Sequence, residues 1–377
     1  MFWRHAPVHH QNRLLPHMNQ CDIIADKILN GFRISPDDAL VLWNEAPLAL
    51  LARLASALKF RKSDNIVYYN RNFHLEPSNI CRFRCEFCSY RRDAGQPDAW
   101  DYSTDEIIRI VNSHADSNVT EVHIVGSVHP DHDLYYYADL IRLVKKLLPQ
   151  VSVKAFTAVE LACMISDVGL NYREGLKLLH DAGMEAIPGG GAEIFDERLR
   201  SRICPEKGSA DMWLSVHRTA HELGMRSNAT MLYGHVESVE HKIDHLDRLR
   251  RLQDETGGFD AFIPLKFRRA GNPLGESLEE VPVTEDMRTL AMSRIFLDNF
   301  PHIKAYWVMY GKQTAQMALG FGADDIDGTI DDSTKIYSMA GAEDAKPILT
   351  VDEIVDMARS AGLTAVERDT FYNPVIR

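Results

Sequence analysis

The sequence predicts an α/β protein built on a TIM-type (β/α) barrel, with a helical extension before the barrel and a closing segment after it. Segments with a strand pattern alternate with segments with a helix pattern between residues 71 and 311. This alternation is typical of right-handed βαβ units and a parallel sheet, and so many units favour a barrel over a doubly wound sheet. No GxGxxG motif opens a helix after a strand, which argues against a dinucleotide-binding fold. We expect four regions: a disordered leader (1–21), the helical extension (22–70), the barrel (71–311) and the closing segment (312–377).

The composition excludes several classes of protein. Hydrophobic residues make up 45% of the chain, which is ordinary for a soluble globular domain. The formal net charge of −12 implies no broad basic surface, so we expect no nucleic-acid partner. Because the chain has neither a long apolar run nor the apolar core of a secretory signal, we expect no membrane association and a cytoplasmic location. Cys21, Cys163 and Cys204 are scattered, so no disulfide framework is indicated.

The helical extension is predicted from apolar spacing and from helix-start signals. Ser35 followed by Pro36 is typical of a helix N-terminus, and Pro47 opens a further helix. We interpret the region as a packing layer over the barrel. The apolar residues expected to share a face in the first helix are Ile24, Ala25, Ile28, Leu29 and Phe32.

The barrel is predicted from short apolar segments separated by helical ones. The helices follow from apolar residues at helical spacing, as in residues 104–115 and 284–299. We expect the last part of the chain to close the barrel, with a helix at residues 351–361. The predicted strands are residues 73–79, 121–126, 151–157, 185–190, 226–233 and 259–267, with a seventh at 303–310.

Three cysteines directly follow the first predicted strand. Cys81, Cys85 and Cys88 are spaced C-x3-C-x2-C. Clustered thiolates bind iron–sulfur clusters, zinc or copper. A [4Fe-4S] cube held by three cysteines keeps one iron open for another ligand. Zinc remains an alternative, with His74 or Cys204 as a fourth ligand, although neither has a zinc-ribbon spacing.

Glycines and polar residues follow the other strands, where a barrel places its active site. Three consecutive glycines indicate backbone lying against a ligand, with a plain loop as the alternative. Glu160 could bind a ligand or simply begin a helix, and His235 could be a base or a structural histidine. The residues in question are Gly126 and Ser127, Thr157 and Glu160, Gly189 to Gly191 with Glu193, and Asn228, Thr230, Tyr233 and His235.

The cysteine segment resembles the signature of the radical S-adenosylmethionine (SAM) superfamily, with Phe87 as its aromatic residue. The resemblance implies that Cys81, Cys85 and Cys88 hold a [4Fe-4S] cluster whose open iron is chelated by SAM. An electron from the cluster then cleaves SAM to a 5'-deoxyadenosyl radical. The residues that the resemblance assigns to SAM binding are Phe87, Gly126, Ser127, Thr157, Glu160, Gly189, Gly190, Gly191, Glu193, Asn228 and Tyr233.

Longer segments resemble a narrower family, the aminofutalosine synthases of the futalosine route to menaquinone (vitamin K2). These segments include IVGSVHP, KAFTAVE, PGGGAEIF and SNATMLYGHVE, and the resemblance runs from about residue 73 to 341. Dehypoxanthine futalosine cyclases and deazaflavin (F420) synthase subunits share several of them and are the alternative. The sequence departs from the family at Ser127, where glycine is usual, and at Thr334 and Ser338, where Glu and His are expected.

The resemblance implies a transferase that adds the 5'-deoxyadenosyl radical to 3-[(1-carboxyvinyl)oxy]benzoate and forms 6-amino-6-deoxyfutalosine. It also implies a low-potential electron donor of the flavodoxin or ferredoxin type. His235 and Arg268 are the candidate catalytic residues, and Arg269 and Lys312 are further candidates for binding carboxylates. A non-catalytic metal-binding protein is the remote alternative. The sequence does not indicate an oligomeric state.

Overall fold

Helices form the first described part of the chain, as the sequence predicts. The structure, a computed structural model, describes residues 19–330, 335–341 and 348–377. Residues 1–18 of the predicted leader lie outside the described residues, and residues 20 and 21 already belong to the first helix. Ser35 caps the second helix through a capping box, with Pro36 at its first position. The three helices are α1 (Gln20–Leu29), α2 (Pro36–Glu45) and α3 (Leu48–Ser63).

The expectation for Phe32 is wrong. Helix α1 ends at Leu29, and Asn30 closes it by donating its backbone N–H to the carbonyl of Asp26. Phe32 therefore lies beyond the helix and is 67% exposed. The sequence analysis extended this helix too far, because residue type alone does not show where helical hydrogen bonding stops.

A parallel sheet forms the barrel wall. Its strands follow one another in chain order, and each pairs in parallel with the next. A strand that the sequence analysis did not predict, β1 (Ile66–Asn70), precedes it. In the described residues the wall comprises β2 (Asn72–Leu75), β3 (Glu121–Ile124), β4 (Ser152–Ala155), β5 (Met184–Ile187), β6 (Arg226–Tyr233), β7 (Phe259–Lys266) and β8 (His302–Ile303).

Helices alternate with these strands, which confirms the predicted (β/α) architecture. Capping boxes begin several of them, as at Ser103 with Glu106 and at Thr157 with Glu160. The helices are α4 (Thr104–Asn112), α5 (Leu134–Leu147), α6 (Ala158–Asp167), α7 (Tyr172–Ala182), α8 (Glu197–Ile203), α9 (Ala210–Glu222), α10 (Val239–Thr256) and α11 (Val283–Phe296).

The predicted seventh strand is wrong over most of its length. Strand β8 covers only His302–Ile303, and Trp307–Tyr310 form a helical turn, α12. The Trp307 indole donates a hydrogen bond to the carbonyl of Gly328, 2.8 Å away, which anchors this turn inside the protein. A short apolar run fits a buried strand and a buried helix equally well, so its periodicity could not separate the two.

The C-terminal part of the chain supplies two more parallel strands. Strand β1 lies between them in a three-stranded sheet. Strand β9 also meets the barrel wall, because Lys304 and Asp325 form an isolated parallel bridge directly after β8. The elements of this part are α13 (Lys312–Ala318), β9 (Asp325–Gly328), α14 (Ile336–Met339), α15 (Val351–Ser360) and β10 (Thr364–Glu367).

Buried ion pairs link these C-terminal elements to the barrel near the amino ends of its strands. The ammonium groups of Lys154 and Lys304 lie 2.6 Å from Glu121 and 2.5 Å from Asp327. The Arg368 guanidinium lies 2.7 Å from Asp325, and the Thr370 hydroxyl donates a hydrogen bond to Glu121. We call this set, Glu121, Lys154, Lys304, Asp325, Asp327, Arg368 and Thr370, the floor network.

Among the described helices, none has both the length and the apolar character needed to cross a membrane.

Candidate active site

The cysteine loop follows β2 at the carboxyl end of the barrel. Cys81, Cys85 and Cys88 line one cavity of ≈ 110 Å³, and the Cys88 N–H donates a hydrogen bond to the Cys85 carbonyl, which tightens the loop. Burial raises the pKa of the Cys81 and Cys85 thiols. Since a metal binds the thiolate, coordination here must release protons.

Ser127 connects the loop after β3 to the cysteine loop. Its hydroxyl donates a 2.6 Å hydrogen bond to the carbonyl of Ile80, next to Cys81. The Arg82 N–H donates to the carbonyl of Val128 across the same contact. Serine in place of the expected glycine therefore adds a hydrogen bond between two loops of the site.

The Glu160 carboxylate is hydrogen-bonded to the backbone of two loops. It accepts hydrogen bonds from the N–H groups of Gly126, at 3.0 Å, and Thr157, at 2.8 Å. Burial raises the pKa of this carboxyl group. Glu160 closes the capping box of α6, which is the helix-start alternative left open by the sequence, and it also fixes the turn after β3.

The glycine run after β5 approaches its neighbours closely. Gly189 has φ +91°, and a Cβ added there would lie 2.2 Å from the backbone oxygen of Asn228. A Cβ on Gly190 would instead lie 2.8 Å from the Thr157 methyl group. Glycine is thus required at position 189 by the backbone conformation and the close backbone contact, whereas at position 190 it leaves space beside the Thr157 side chain.

Lys207 is a residue of the site that the sequence analysis missed. It lines the cysteine cavity, pairs with the Glu193 carboxylate, and its ammonium lies 5.0 Å from the centre of the Phe87 ring. Burial opposes its charge, but the Glu193 carboxylate together with Cys85 and Cys204 offsets burial and raises the pKa of Lys207. A single lysine in a polar loop gives no sequence signal, because most such lysines are solvated surface charges.

A second cavity of ≈ 170 Å³ occupies the barrel interior. Gly126, Thr157 and Glu160 line both this inner cavity and the cysteine cavity, so the two adjoin at these residues. Gly190, Asn228 and Thr230 line the inner cavity, as do Glu121, His123, Lys154, Lys304, Tyr306 and Asp327.

The structure does not bring Tyr233 to either cavity. Side chains alternate along a strand, and Asn228 and Thr230 of β6 face inward, so Tyr233 faces the opposite side. Its hydroxyl donates a 2.7 Å hydrogen bond to Asp286 of α11. The resemblance assigned it to SAM binding, but strand parity places it between the sheet and a helix.

The two candidate catalytic residues also lie elsewhere. His235 lines a separate cavity with Glu237, Lys242 and Glu285, and Glu237 lies 3.4 Å from its ring. Arg268 donates hydrogen bonds to the carbonyls of Met309 and Gly341.

The remaining basic candidates and Ser338 lie outside the lining of both cavities as well. Arg269 lies 2.5 Å from Glu279, and Lys312 lies 2.9 Å from Glu353. The Ser338 hydroxyl donates a hydrogen bond to the carbonyl of Lys335. Thr334 lies outside the described residues.

The donor set fits a [4Fe-4S] cluster with one open iron. Three thiols converge on one cavity, and no histidine and no fourth cysteine lines it among the described residues. Cys204 is fully buried and packs in the same apolar group as Cys85, outside the cavity lining. A closed tetrahedral zinc site would need a fourth ligand, and the one described carboxylate of this lining, Glu160, already accepts hydrogen bonds from Gly126 and Thr157.

Comparisons with known proteins agree with this geometry. The model of the Radical SAM superfamily matches residues 75–249, and the model of the CofH/MqnC C-terminal region matches residues 256–375. The aminodeoxyfutalosine synthase of Thermus thermophilus is 45% identical over 355 residues, covering 93% of this chain and 95% of that protein. The chain belongs to the radical SAM family that contains the aminodeoxyfutalosine synthases. The resemblance stated from the cysteine segment is thereby confirmed.

Two further likenesses define the fold and the breadth of this radical SAM family. The cyclic dehypoxanthine futalosine synthase of Streptomyces coelicolor is 34% identical, covering 94% of this chain and 88% of that protein. The crystal structure of methylornithine synthase (PylB) superposes with a TM-score of 0.72 at 16% identity, covering 91% of this chain and 97% of that chain. The second likeness confirms the predicted barrel. As a radical SAM enzyme, the chain uses a [4Fe-4S] cluster and SAM.

Proposed function

We propose that this radical SAM enzyme joins the adenosyl group of SAM to 3-[(1-carboxyvinyl)oxy]benzoate and forms 6-amino-6-deoxyfutalosine, a step of menaquinone biosynthesis. One observation carries the proposal: 45% identity over nearly the whole chain to a protein named aminodeoxyfutalosine synthase. The relative named for the cyclase reaction reaches 34%.

The two adjoining cavities support a two-part site. Cys81, Cys85 and Cys88 hold the cluster at the outer cavity, where it supplies the electron that cleaves the sulfonium bond of SAM. Gly126, Ser127, Thr157, Glu160 and Gly190 line the junction or its borders and are the candidates for contact with SAM. The predicted contacts from Phe87, Gly189, Gly191, Glu193 and Asn228 belong to the same proposal.

Glu160 and Lys207 have distinct roles in this proposal. Glu160 holds Gly126 and Thr157 in place through their N–H groups, so the junction between the cavities is rigid before any ligand arrives. Lys207 places a positive charge beside the cysteines, where an anionic cluster or the carboxylate of SAM would be stabilised. The inner cavity then receives the acceptor, and its enclosure by barrel strands excludes water from the radical.

The electron donor is proposed to be a low-potential protein of the flavodoxin or ferredoxin type. The cysteine loop itself carries Arg82 and Arg84, and the Arg84 side chain is 64% exposed. Both arginines pair with neighbouring carboxylates, Arg82 with Asp167 and Arg84 with Asp93, so the proposal of this donor rests on the family and not on the charge of the loop.

The fate of the adenosyl group tests the proposal. The synthase reaction adds the radical to carbon, so SAM labelled in the adenine ring should transfer its label to a nucleoside product that still bears the benzoate ring. The cyclase reaction abstracts hydrogen and releases free 5'-deoxyadenosine. Reconstituted enzyme, reduced anaerobically and supplied with SAM and the acceptor, should give labelled adduct with 5'-deoxyadenosine as a minor product.

Matched cysteine variants complete this experiment. Cys85→Ala should abolish adduct and 5'-deoxyadenosine alike, because a cluster ligand is lost. Cys163→Ser, outside both cavities, should retain turnover. Stoichiometric 5'-deoxyadenosine, with turnover only on a futalosine-type substrate, would instead assign the cyclase reaction.

A further inference from the structure

The inner cavity contains polar side chains of two kinds, those with partners and those without. Lys154 and Glu121 are paired, as are Lys304 and Asp327, and Thr230 donates to the carbonyl of Gly189. Thr157 and Glu160 are joined in a capping box, and Tyr306 has an interaction partner as well. Two polar side chains of this lining, His123 and Asn228, make no hydrogen bond to the described residues.

His123 is held by a ring contact but has no hydrogen-bond partner among the described residues. Its ring packs edge-on against His74, with 4.5 Å between the ring centres. Nε2 is enclosed by protein atoms and has no hydrogen-bond partner, which leaves Nδ1 as the nitrogen that a ligand can reach. Burial, followed by the neighbouring His74, holds the pKa of His123 well below its ordinary value, so the ring is neutral and can donate one N–H.

The position of His123 along β3 places it at the deep end of the cavity. Glu121, His123 and Val125 line the cavity in succession, and Gly126 follows beyond the carboxyl end of the strand. His123 therefore lies three residues, or about 10 Å along the chain, from Gly126. His123 lies beside the floor network, and Gly126 and Glu160 mark the opposite end.

The charges of the deep end are already balanced. Lys154 faces Glu121 and Lys304 faces Asp327, so neither ammonium is left to neutralise an incoming anion by itself. A carboxylate taken out of water must find hydrogen-bond donors. The His123 ring, on the strand that pairs with the strand of Lys154, is a donor that makes no hydrogen bond to the described residues.

We infer that His123 donates a hydrogen bond to the ring carboxylate of the acceptor at the deep end of the inner cavity. The inference rests on the proposed function, because that reaction defines the acceptor. The vinyl carbon must meet C5' of SAM at the cysteine end, and the enol-ether carboxylate is attached close to that carbon. The benzoate carboxylate is the opposite end of the molecule, so it points toward His123.

Two substitutions separate the donor from the shape of the ring. In His123→Asn, the side-chain amide places an N–H near the position of Nδ1, whereas His123→Leu has no donor. Since a hydrogen bond to a charged group contributes about 1.5–3 kcal/mol, His123→Leu should raise KM for 3-[(1-carboxyvinyl)oxy]benzoate about 10- to 100-fold. His123→Asn should raise it only a few-fold. Cleavage of SAM without acceptor should stay at the wild-type rate in both.

The acceptor supplies its own matched control. 2-Phenoxyacrylate keeps the enol ether and its carboxylate and lacks the ring carboxylate, so wild type and His123→Leu should bind it with equal affinity. Calorimetry on the reconstituted enzyme with its cluster, in the absence of a reductant, gives both affinities without turnover. His241→Gln, which removes an imidazole outside both cavities, should leave both affinities unchanged. Should the leucine variant fail to fold, His123→Phe retains the aromatic contact with His74 and removes the donor.

The outcomes separate this inference from the proposed function. A wild-type enzyme that converts the acceptor, together with a His123→Leu or His123→Phe variant of unchanged KM, overturns the inference alone. An equal loss of affinity for both ligands also overturns it, because the ring carboxylate then plays no part. A wild-type enzyme that neither binds nor converts the acceptor overturns the proposed function and this inference with it.

Discussion

Gly189 and Gly190 show how neighbouring residues of one motif serve different ends. Gly189 lies in a left-handed conformation with its α-carbon against the backbone of Asn228. Gly190 has an ordinary conformation and borders the Thr157 methyl group and the inner cavity. The sequence predicts that the run lies against a ligand, and of these two glycines only Gly190 lines the inner cavity.

Alanine at these two positions should therefore have opposite consequences. Gly189→Ala should destabilise the protein by a few kcal/mol, because its Cβ would meet a backbone oxygen that cannot move cheaply. Gly190→Ala should change stability by only about 1 kcal/mol and raise KM for SAM or stop turnover, since its Cβ narrows the cavity. Thermal unfolding and KM for SAM, measured on both variants, check this. Normal kinetics in Gly190→Ala would show that the glycine serves only the loop.

At this scale, the cysteines could be predicted from the sequence, whereas two polar residues of the site could not. Spacing identified Cys81, Cys85 and Cys88, because three thiols within one short loop are typical of a metal or cluster site. Lys207 and His123 carry no comparable signal, since each is a single polar residue whose surroundings come from distant elements. Their roles become visible only when the barrel brings those elements together.

At the scale of elements, strand parity accounts for most of the difference between expected and observed site residues. The existence of the barrel strands was predictable from apolar runs between helical segments, but most strands are shorter than predicted. Along β6, residues an even number of positions from Asn228 face the cavity, and residues an odd number away face the helix layer. A shift of one residue therefore moves a candidate such as Tyr233 from the cavity to the helix layer.

The floor network should make stability depend on pH in acid. Burial alone would raise the pKa of Glu121 and of Asp327, but Lys154 and Arg368 in the first case and Lys304 in the second lower each to about 2. Each folded-state pKa is below the unfolded value of about 4, so the stabilisation is present above pH 4 and is lost as the pH falls toward 2. The free energy of unfolding should fall by about 3 kcal/mol for Glu121 across that window.

Denaturant unfolding at successive pH values measures this dependence. Glu121→Gln cannot ionise and should flatten the acid limb of the profile, besides lowering stability at neutral pH. Glu222→Gln, at an exposed pair with Arg173, is the control and should leave the limb nearly unchanged. An acid limb in Glu121→Gln as steep as that of the wild type would contradict the assignment.

At the scale of the whole molecule, the last strands complete a structure that the first strands begin. Strand β1 lies between β9 and β10, and β9 also meets the chain after β8. The barrel itself was predictable from local patterns. Strands β1 and β10 were not, because four or five residues beside a helix give no local sign of pairing with partners hundreds of residues away.

Arg368 should therefore matter more than its position near the end of the sequence suggests. Its guanidinium is fully buried against Asp325. Arg368→Leu leaves that carboxylate without its partner and should cost about 3–5 kcal/mol. Arg377→Ala breaks a partly exposed pair with Glu367 and should cost under about 1 kcal/mol. Thermal unfolding of both variants compares them, and equal losses would show that the buried pair does not hold the closing strands.

The position of β1 also bears on how the protein is made. A ribosome produces residues 66–70 early, while β9 and β10, which flank them in the finished protein, emerge near the end of synthesis. Until then both edges of β1 lack their partners, and an unpaired strand edge is a place where newly made chains adhere to one another. Fast, crowded production should therefore favour inclusion bodies. In a growing cell, this strand must be kept from pairing with other unfinished chains until β9 and β10 have been synthesised.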